Sequence, residues 1–102
     1  MNIPLQAHTA ARDHRTAFRD ALNAIEHRMH PDLVIISAGF DSHRDDPLGN
    51  LMLEDADFAE MTKDILRIAE QHSAGRVIAL LEGGYNLDVL GGSVVSHLNA
   101  LL

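Results

Sequence analysis

Cysteine is absent from this chain of 102 residues, and no apolar run approaches the length of a membrane span. Without cysteine there is no disulfide framework and no thiolate metal site. The N-terminus also lacks the hydrophobic segment of a signal peptide. We therefore expect a cytoplasmic protein with no membrane partner.

Positive charge is scarce as well. The chain has 8 Lys and Arg residues against 15 Asp and Glu residues, for a formal net charge of −7. The basic residues are not clustered, whereas nucleic-acid binding depends on basic side chains that neutralise phosphates. We therefore expect no DNA or RNA partner.

Histidine, in contrast, is abundant, with 7 residues scattered along the chain. A metal site needs ligands that converge, and no two histidines have the i, i+4 spacing of a helical metalloprotease motif. Each histidine taken singly is more typical of a solvated or capping residue than of a metal ligand.

The hydrophobic pattern predicts helices and strands in strict alternation. Hydrophobic content is 46%, which is ordinary for a folded protein, and the length allows one domain at most. Apolar residues at helical spacing predict helices, and short branched apolar runs predict strands. The predicted order is α-β-α-β-α, with a helix over about 11–27, a strand over 33–37, a helix over about 57–72, a strand over 76–81 and a last helix from 87.

The sequence also predicts details of the last two helices. Asp55 or Asp57 is expected to cap the second helix, with Glu60 three residues after Asp57 as in a capping box. The last helix contains Gly91 and Gly92, each of which costs about 1 kcal/mol relative to alanine. Its predicted apolar stripe is Leu87, Leu90, Val94, Leu98 and Leu101.

Both predicted strands are apolar enough to be buried on both faces of a sheet. Strands joined by a helix are expected to be parallel. Two parallel strands alone would leave open hydrophobic edges, and parallel sheets normally contain more strands. The sequence therefore predicts an α/β fold that is incomplete as a domain, and that is completed by further sequence or by self-association through the open edges.

Candidate functional residues follow each strand, where α/β sheets place their sites. Carboxylate and imidazole side chains suit a divalent cation such as zinc. A tyrosine hydroxyl can donate a hydrogen bond to a developing oxyanion, and glycines let the backbone approach a substrate closely. Acidic loops and Gly-Gly pairs are also typical of simple solvated turns. The residues are Asp41, His43, Asp45 and Asp46 after the first strand, and Glu82, Gly83, Gly84, Tyr85 and Asn86 after the second.

Two long motifs at these strand ends closely resemble one known family. Pro31 to Gly49 has the sequence PDLVIISAGFDSHRDDPLG, and Leu81 to Leu87 has the sequence LEGGYNL. In this order and spacing they resemble the zinc-dependent histone deacetylase superfamily, which includes acetylpolyamine amidohydrolases and acetoin-utilisation proteins. The opening Asn2 to Leu5 is similar to a family segment upstream of this block, so the resemblance covers nearly the whole chain.

The resemblance implies part of an arginase-like α/β fold with a larger parallel sheet. It implies that Asp41 is a zinc ligand and that Tyr85 polarises the acetyl carbonyl and stabilises the tetrahedral oxyanion. Leu48 matches a residue that lines the tunnel for the acylated amine, and Gly83 and Gly84 are the other predicted substrate-binding positions. The implied reaction is hydrolysis of the acetyl amide of acetylated lysine or of a polyamine, with zinc as the cofactor.

Two elements of the family pattern are missing from this chain. Members have an upstream Asp-x-His that supplies the other zinc ligands, and a paired-histidine motif that serves as general base and acid. The chain has no His-His dipeptide, and its single Asp-x-His is Asp41-x-His43, in which His43 matches a loop residue. One aspartate does not hold a zinc ion. We therefore expect the C-terminal part of a deacetylase domain, without its upstream two-thirds, that binds zinc weakly and is inactive by itself.

Three alternatives belong to other classes. A receiver-like phospho-acceptor module also has an aspartate at the end of an apolar strand, but it needs an acidic pair on an earlier strand. A nucleotide-binding unit could use Glu82-Gly83-Gly84 at a helix N-terminus, although the G-x-G-x-x-G spacing is absent. The third alternative is a non-catalytic fragment that self-associates.

Overall fold

The computed structural model describes residues 1–102 and contains three helices and two strands. The elements are α1 (Ala11–Glu26), β1 (Val34–Ala38), α2 (Asp55–His72), β2 (Val77–Leu81) and α3 (Leu87–Leu101). The strands pair in parallel, from Val34 opposite Val77 to Ala38 opposite Leu81. The predicted α/β class and the order α-β-α-β-α are confirmed, and each strand begins one residue later than predicted. None of the helices combines the length and the hydropathy of a membrane span.

The three helices pack on one face of the sheet. Ile36 and Ala38 of β1 face a cavity of about 120 Å³ that Phe18 of α1 and Phe58 of α2 also line. On the same face, β2 and α3 enclose a second cavity. The buried apolar core is small and lies just beyond the end of β1, where Phe40, Leu53 and Phe58 pack together.

The opposite face of the sheet is uncovered. Its apolar side chains are between 44% and 60% exposed; they are Leu33, Ile35, Ile78 and Leu80. The prediction that both strands are buried on both faces is therefore wrong for these residues. The reason is that all three helices lie on one side, and a two-stranded sheet has no second layer of its own to cover the other. The prediction is also wrong for Leu81 at the end of β2, which is 64% exposed on the helix-facing side.

The N-terminus of α2 differs from the prediction. Glu54 is the N-cap, and its backbone N–H donates to Asp57 Oδ2 over 2.9 Å in a reciprocal capping box. The predicted caps, Asp55 and Asp57, lie inside the helix, which begins two residues earlier than expected. Glu60 instead pairs with Lys63 Nζ at 2.8 Å on the exposed face. The capping box is therefore displaced by three residues from the predicted one.

The buried face of α3 also differs from the predicted apolar stripe. Leu90 and Val94 of that stripe pack on the core, but Leu87 is 82% exposed, and the two buried residues of the helix are Ser93 and His97. Gly92 explains this orientation, because a Cβ there would lie 2.5 Å from Asp55 Oδ2. The Asp55 carboxylate also accepts a 2.7 Å hydrogen bond from Ser93 Oγ. Helix α3 therefore approaches the start of α2 closely through small residues.

Candidate functional site

The carboxyl ends of β1 and β2 are joined by main-chain hydrogen bonds beyond the strands. Glu82 N donates to Ala38 O over 2.9 Å, and Phe40 N donates to Gly83 O over 2.8 Å. These bonds continue the parallel pairing past the last strand residues. The loop that follows β1 therefore lies directly beside the glycine turn that follows β2, as the sequence predicts for neighbouring parallel strands.

The Asp41 carboxylate lies between two glycines. A Cβ on Gly39 would be 2.9 Å from Asp41 Oδ1, and a Cβ on Gly83 would be 2.9 Å from Asp41 Oδ2. The carboxylate is half-buried and accepts no hydrogen bond from the protein. Its lone pairs are thus free for a ligand from outside the chain, and any side chain at position 83 would displace it.

Gly84 has a different structural reason for being glycine. Its φ of +137° is unfavourable for other residues, and a Cβ would lie 2.7 Å from Leu90 Cδ1 and 3.2 Å from Phe40 Cβ. The turn after β2 thus packs closely on the core and on α3. These packing constraints account for both Gly83 and Gly84, and the contact of either with substrate stays a prediction.

Tyr85 and Leu48 are exposed at the same end of the sheet. The exposed fraction is 55% for Tyr85 and 66% for Leu48. The Tyr85 hydroxyl has no hydrogen-bond partner in the chain, although its backbone N–H is bonded to the loop that contains Leu48. The backbone at Tyr85 and at Leu48 is therefore held by hydrogen bonds, while both side chains remain accessible to a ligand.

Asp46, which the sequence offers only as a candidate cation ligand, is the tether between these two backbone segments. Its Oδ2 accepts hydrogen bonds from Leu48 N at 2.8 Å and Gly49 N at 2.9 Å, and its Oδ1 accepts one from Tyr85 N at 2.8 Å. Burial raises the pKa of Asp46, but the surrounding backbone N–H groups, that of Tyr85 foremost, outweigh burial and hold this pKa below its usual range. The carboxylate is therefore ionised where it binds the three amides.

Part of this arrangement has a sequence signal. An aspartate whose side chain accepts from the amides two and three residues later forms an Asx-type turn, and Asp-Pro-Leu-Gly is a typical composition for one. The bond to Tyr85 has no such signal, because the two residues are 39 positions apart. Asn86 reinforces the same junction through a 2.8 Å bond from its Nδ2 to Asp45 O.

His43 has a structural role in the loop. Its Nδ1 accepts a hydrogen bond from Asp45 N at 3.1 Å, and its ring stacks on Phe58 with the planes 12° apart. The residue is only 7% exposed, and its Nε2 faces Asp55 Oδ1 at 3.8 Å. The interpretation of His43 as a loop residue fits these contacts, although the residue is buried rather than solvated.

The residues present do not amount to a metal site by themselves. The structure contains no group of three His, Asp or Glu side chains close enough to hold a metal ion. Asp41 offers an oxygen ligand of the right chemistry, but Nδ1 of His43 accepts from Asp45 N, and both oxygens of Asp46 accept from backbone N–H groups. A zinc ion bound through Asp41 would need its other ligands from outside these residues.

His97 is the other buried histidine, and its ring packs edge-on against Phe40, with the ring centroids 5.8 Å apart. Its Nδ1 is 2.7 Å from Thr62 Oγ1, which itself donates to Phe58 O over 2.6 Å. The expectation that each histidine is solvated or capping is therefore wrong for His43 and His97. In each of them one ring nitrogen, Nδ1, has a hydrogen-bond partner inside the chain.

Fold and site together define a segment of an α/β protein whose polar residues gather at the carboxyl ends of parallel strands. Comparison with known proteins identifies the family. The family model for the histone deacetylase domain matches residues 1–101 of this chain. The chain therefore belongs to the histone deacetylase family, and the resemblance inferred from the two motifs is confirmed.

Individual relatives agree with this assignment. The chain is 39% identical over 102 residues to histone deacetylase 14, chloroplastic, of Arabidopsis thaliana, which covers 100% of this chain and 24% of that protein. It is 40% identical over 90 residues to the polyamine deacetylase HDAC10 of Danio rerio, over 88% of this chain and 13% of that protein. The crystal structure of the HDA15 HD domain is similar with a TM-score of 0.83 and 33% identity, over 94% of this chain and 26% of that chain. The chain thus spans about a quarter, or less, of the proteins it matches.

Proposed function

We propose that residues 1–102 form the C-terminal part of a zinc-dependent deacetylase domain that hydrolyses the acetyl amide of acetylated lysine or of an acetylated polyamine. The observation that carries this proposal is the gathering of Asp41, Leu48 and Tyr85 at one edge of the sheet by Asp46 and the glycine turn. The similarity to proteins named histone deacetylases and a polyamine deacetylase supports the reaction class.

In this proposal the chain supplies three functions to the complete domain. The Tyr85 hydroxyl, which has no partner in the chain, donates a hydrogen bond to the oxyanion that forms from the acetyl carbonyl. Leu48 contributes an exposed apolar wall against which the methylene groups of an acylated amine can pack. Asp41 supplies one zinc ligand, and the remaining ligands and the proton-transfer groups come from outside these residues.

The remainder of the domain would also cover the uncovered sheet face. Leu33, Ile35, Ile78 and Leu80 expose a contiguous apolar surface, and burying it provides a hydrophobic driving force for attachment of further strands or helices. The partial coverage of every relative reported above supports the same arrangement.

A chimera tests the proposal directly. In it, these 102 residues replace the matching segment of the Arabidopsis relative, and acetate release is measured on an acetyl-lysine peptide and on an acetylated polyamine. We expect an active chimera in which Tyr85→Phe lowers kcat by about 100- to 1,000-fold, because one oxyanion donor is lost. Asp41→Asn should abolish activity, and Asp45→Asn, which changes an exposed neighbouring carboxylate, should retain it. A folded but inactive chimera, or full activity of Tyr85→Phe, would contradict the proposal.

The chain without the rest of the domain is expected to be inactive. The measurement is acetate release from the same peptide by the purified chain supplemented with zinc, and we expect none above the buffer control. Deacetylation that disappears in Asp41→Ala would show that the missing ligands are not needed, and this expectation would be wrong.

A further inference from the structure

One buried carboxylate, that of Asp46, connects three of the five predicted site positions, namely Asp41, Leu48 and Tyr85. The residue is 9% exposed and accepts three hydrogen bonds from backbone N–H groups. Two of those amides belong to Leu48 and Tyr85, which are themselves predicted site residues. The third belongs to Gly49, and Gly49 packs directly on the residue that carries the predicted zinc ligand.

The packing of Gly49 on Asp41 leaves no room for a side chain. A Cβ on Gly49 would overlap the Asp41 carbonyl oxygen. Because Asp46 Oδ2 holds the Gly49 amide at 2.9 Å, it also fixes the segment against which the Asp41 backbone rests. Through Oδ1 the same side chain fixes Tyr85, 39 positions further along the chain.

We propose that Asp46 is a positioning residue that sets the backbone of Tyr85 relative to Asp41 and to the loop of Leu48. This proposal rests on the proposed function for its catalytic consequence, but the tether itself is a property of this chain. Tyr85 is 55% exposed and its side chain makes no hydrogen bond, so the backbone bond to Asp46 is its polar link to the loop after β1.

A carboxylate suits this position for a chemical reason. It presents two acceptor oxygens and no donor, and its charge strengthens the bonds from the three N–H groups. An asparagine would present one oxygen and one NH2 group. One of its ends would then place a donor against a backbone N–H, so either Tyr85 or the pair Leu48 and Gly49 would lose its partner.

The experiment uses the intrinsic fluorescence of the single tyrosine, Tyr85. Because the chain has no tryptophan, the anisotropy of tyrosine fluorescence reports on Tyr85 alone. In Asp46→Asn we expect lower anisotropy and exchange of the Leu48, Gly49 and Tyr85 amide hydrogens that is faster by about tenfold or more, measured by NMR. The matched control is Asp45→Asn, the adjacent exposed aspartate, which should change neither quantity. Unchanged exchange at Tyr85 in Asp46→Asn with an intact circular dichroism spectrum would overturn the proposal.

If Asp46→Asn does not fold, amide exchange in the unsubstituted chain provides the test. The three amides share one acceptor side chain, so they should be protected and should open together. Protection of Leu48 and Gly49 without protection of Tyr85 would overturn the proposal as well.

The catalytic consequence is tested separately in the chimera described above. Asp46→Asn should lower kcat with little change in KM, and Asp46→Asn combined with Tyr85→Phe should be no slower than Tyr85→Phe alone, because the first change acts through the second residue. Independent, multiplicative losses would contradict the positioning role. An inactive parent chimera whose amide exchange matches expectation would refute the deacetylase proposal and leave the tether standing.

Discussion

The environment of His97 shows how one buried residue can make the whole chain sensitive to pH. Thr62 Oγ1 donates to the Phe58 carbonyl and so accepts from Nδ1–H of His97, which leaves Nε2 as the unprotonated nitrogen of the neutral ring. That nitrogen is buried and has no partner in the protein. Burial lowers the pKa of His97, because a charged imidazole would be poorly solvated there. Burial also lowers the pKa of His14, and the charge of Asp57 offsets part of that lowering.

We predict that the chain loses stability as the pH falls below about 6.5. The unfolded chain protonates His97 near that ordinary value, whereas the folded chain does so only at lower pH. Between the two values the unfolded state binds more protons, so the free energy of unfolding falls with falling pH. The measurement is urea unfolding at about pH 7.5 and about pH 5.5.

A pair of substitutions assigns this effect to the buried ring. His97→Gln should reduce the difference between the two pH values, and the part that remains is expected from His14. His27→Gln, at an exposed position, should leave the difference unchanged. If the parent protein and His97→Gln lost stability equally on acidification, His97 would not be the cause.

At the scale of the secondary-structure element, the capping box at the start of α2 differs between the structure and the prediction from sequence. The pattern favours a box of Asp57 with Glu60, whereas the structure has a box of Glu54 with Asp57. The displacement follows from the preceding loop. Arg44 N donates to Leu53 O over 2.8 Å and Leu53 N donates to Ser42 O over 3.1 Å, so the chain is held against the core up to Leu53 and can turn into the helix only at the next residue.

We predict that Asp57→Ala destabilises the chain by about 1 kcal/mol, since it removes the partner of the Glu54 amide. The ion pair of Asp57 with Arg15, 3.2 Å long, is lost at the same time. Urea unfolding measures the change. Glu60→Ala is the matched control, because the one salt bridge of Glu60 is with exposed Lys63. The unfolding midpoint of this variant should stay close to that of the parent. A larger loss in Glu60→Ala than in Asp57→Ala would favour the box that the sequence pattern indicates.

At the scale of the whole molecule, the uncovered sheet face exposes four large apolar side chains side by side. Ile35 and Ile78 lie opposite each other in the register, and Leu80 continues the same face one pleat further. Apolar area of this kind favours association with whatever can cover it. In the complete domain we propose that the remainder of the family fold covers this face. In its absence, another copy of the chain can cover it.

We therefore predict that the purified chain self-associates through this face. The double substitution Ile35→Lys with Leu80→Lys should shift the chain toward monomer in sedimentation velocity, because two charges on the face disfavour its burial. Val95→Lys is the control, since Val95 is 55% exposed but lies on α3 away from the sheet face. A monomeric parent chain with a native circular dichroism spectrum would contradict the prediction.

The element order and the family were predictable from the sequence because both rest on local patterns. The branched runs of β1 and β2 and the helical spacing in α1 and α2 are short-range properties, and the two motifs occupy continuous stretches. The positions of Asp41 and Tyr85 at adjoining strand ends also followed, because parallel strands place their carboxyl ends together.

The tertiary structure alone decided the features that depend on residues far apart in the chain. The bond from Tyr85 to Asp46 spans 39 positions, that from Ser93 to Asp55 spans 38, and the contact of His97 with Thr62 spans 35. No local pattern encodes such a pairing, since each partner alone is an ordinary polar residue. The exposed sheet face is of the same kind, because whether an apolar strand is covered depends on which layers pack against it and not on the strand itself.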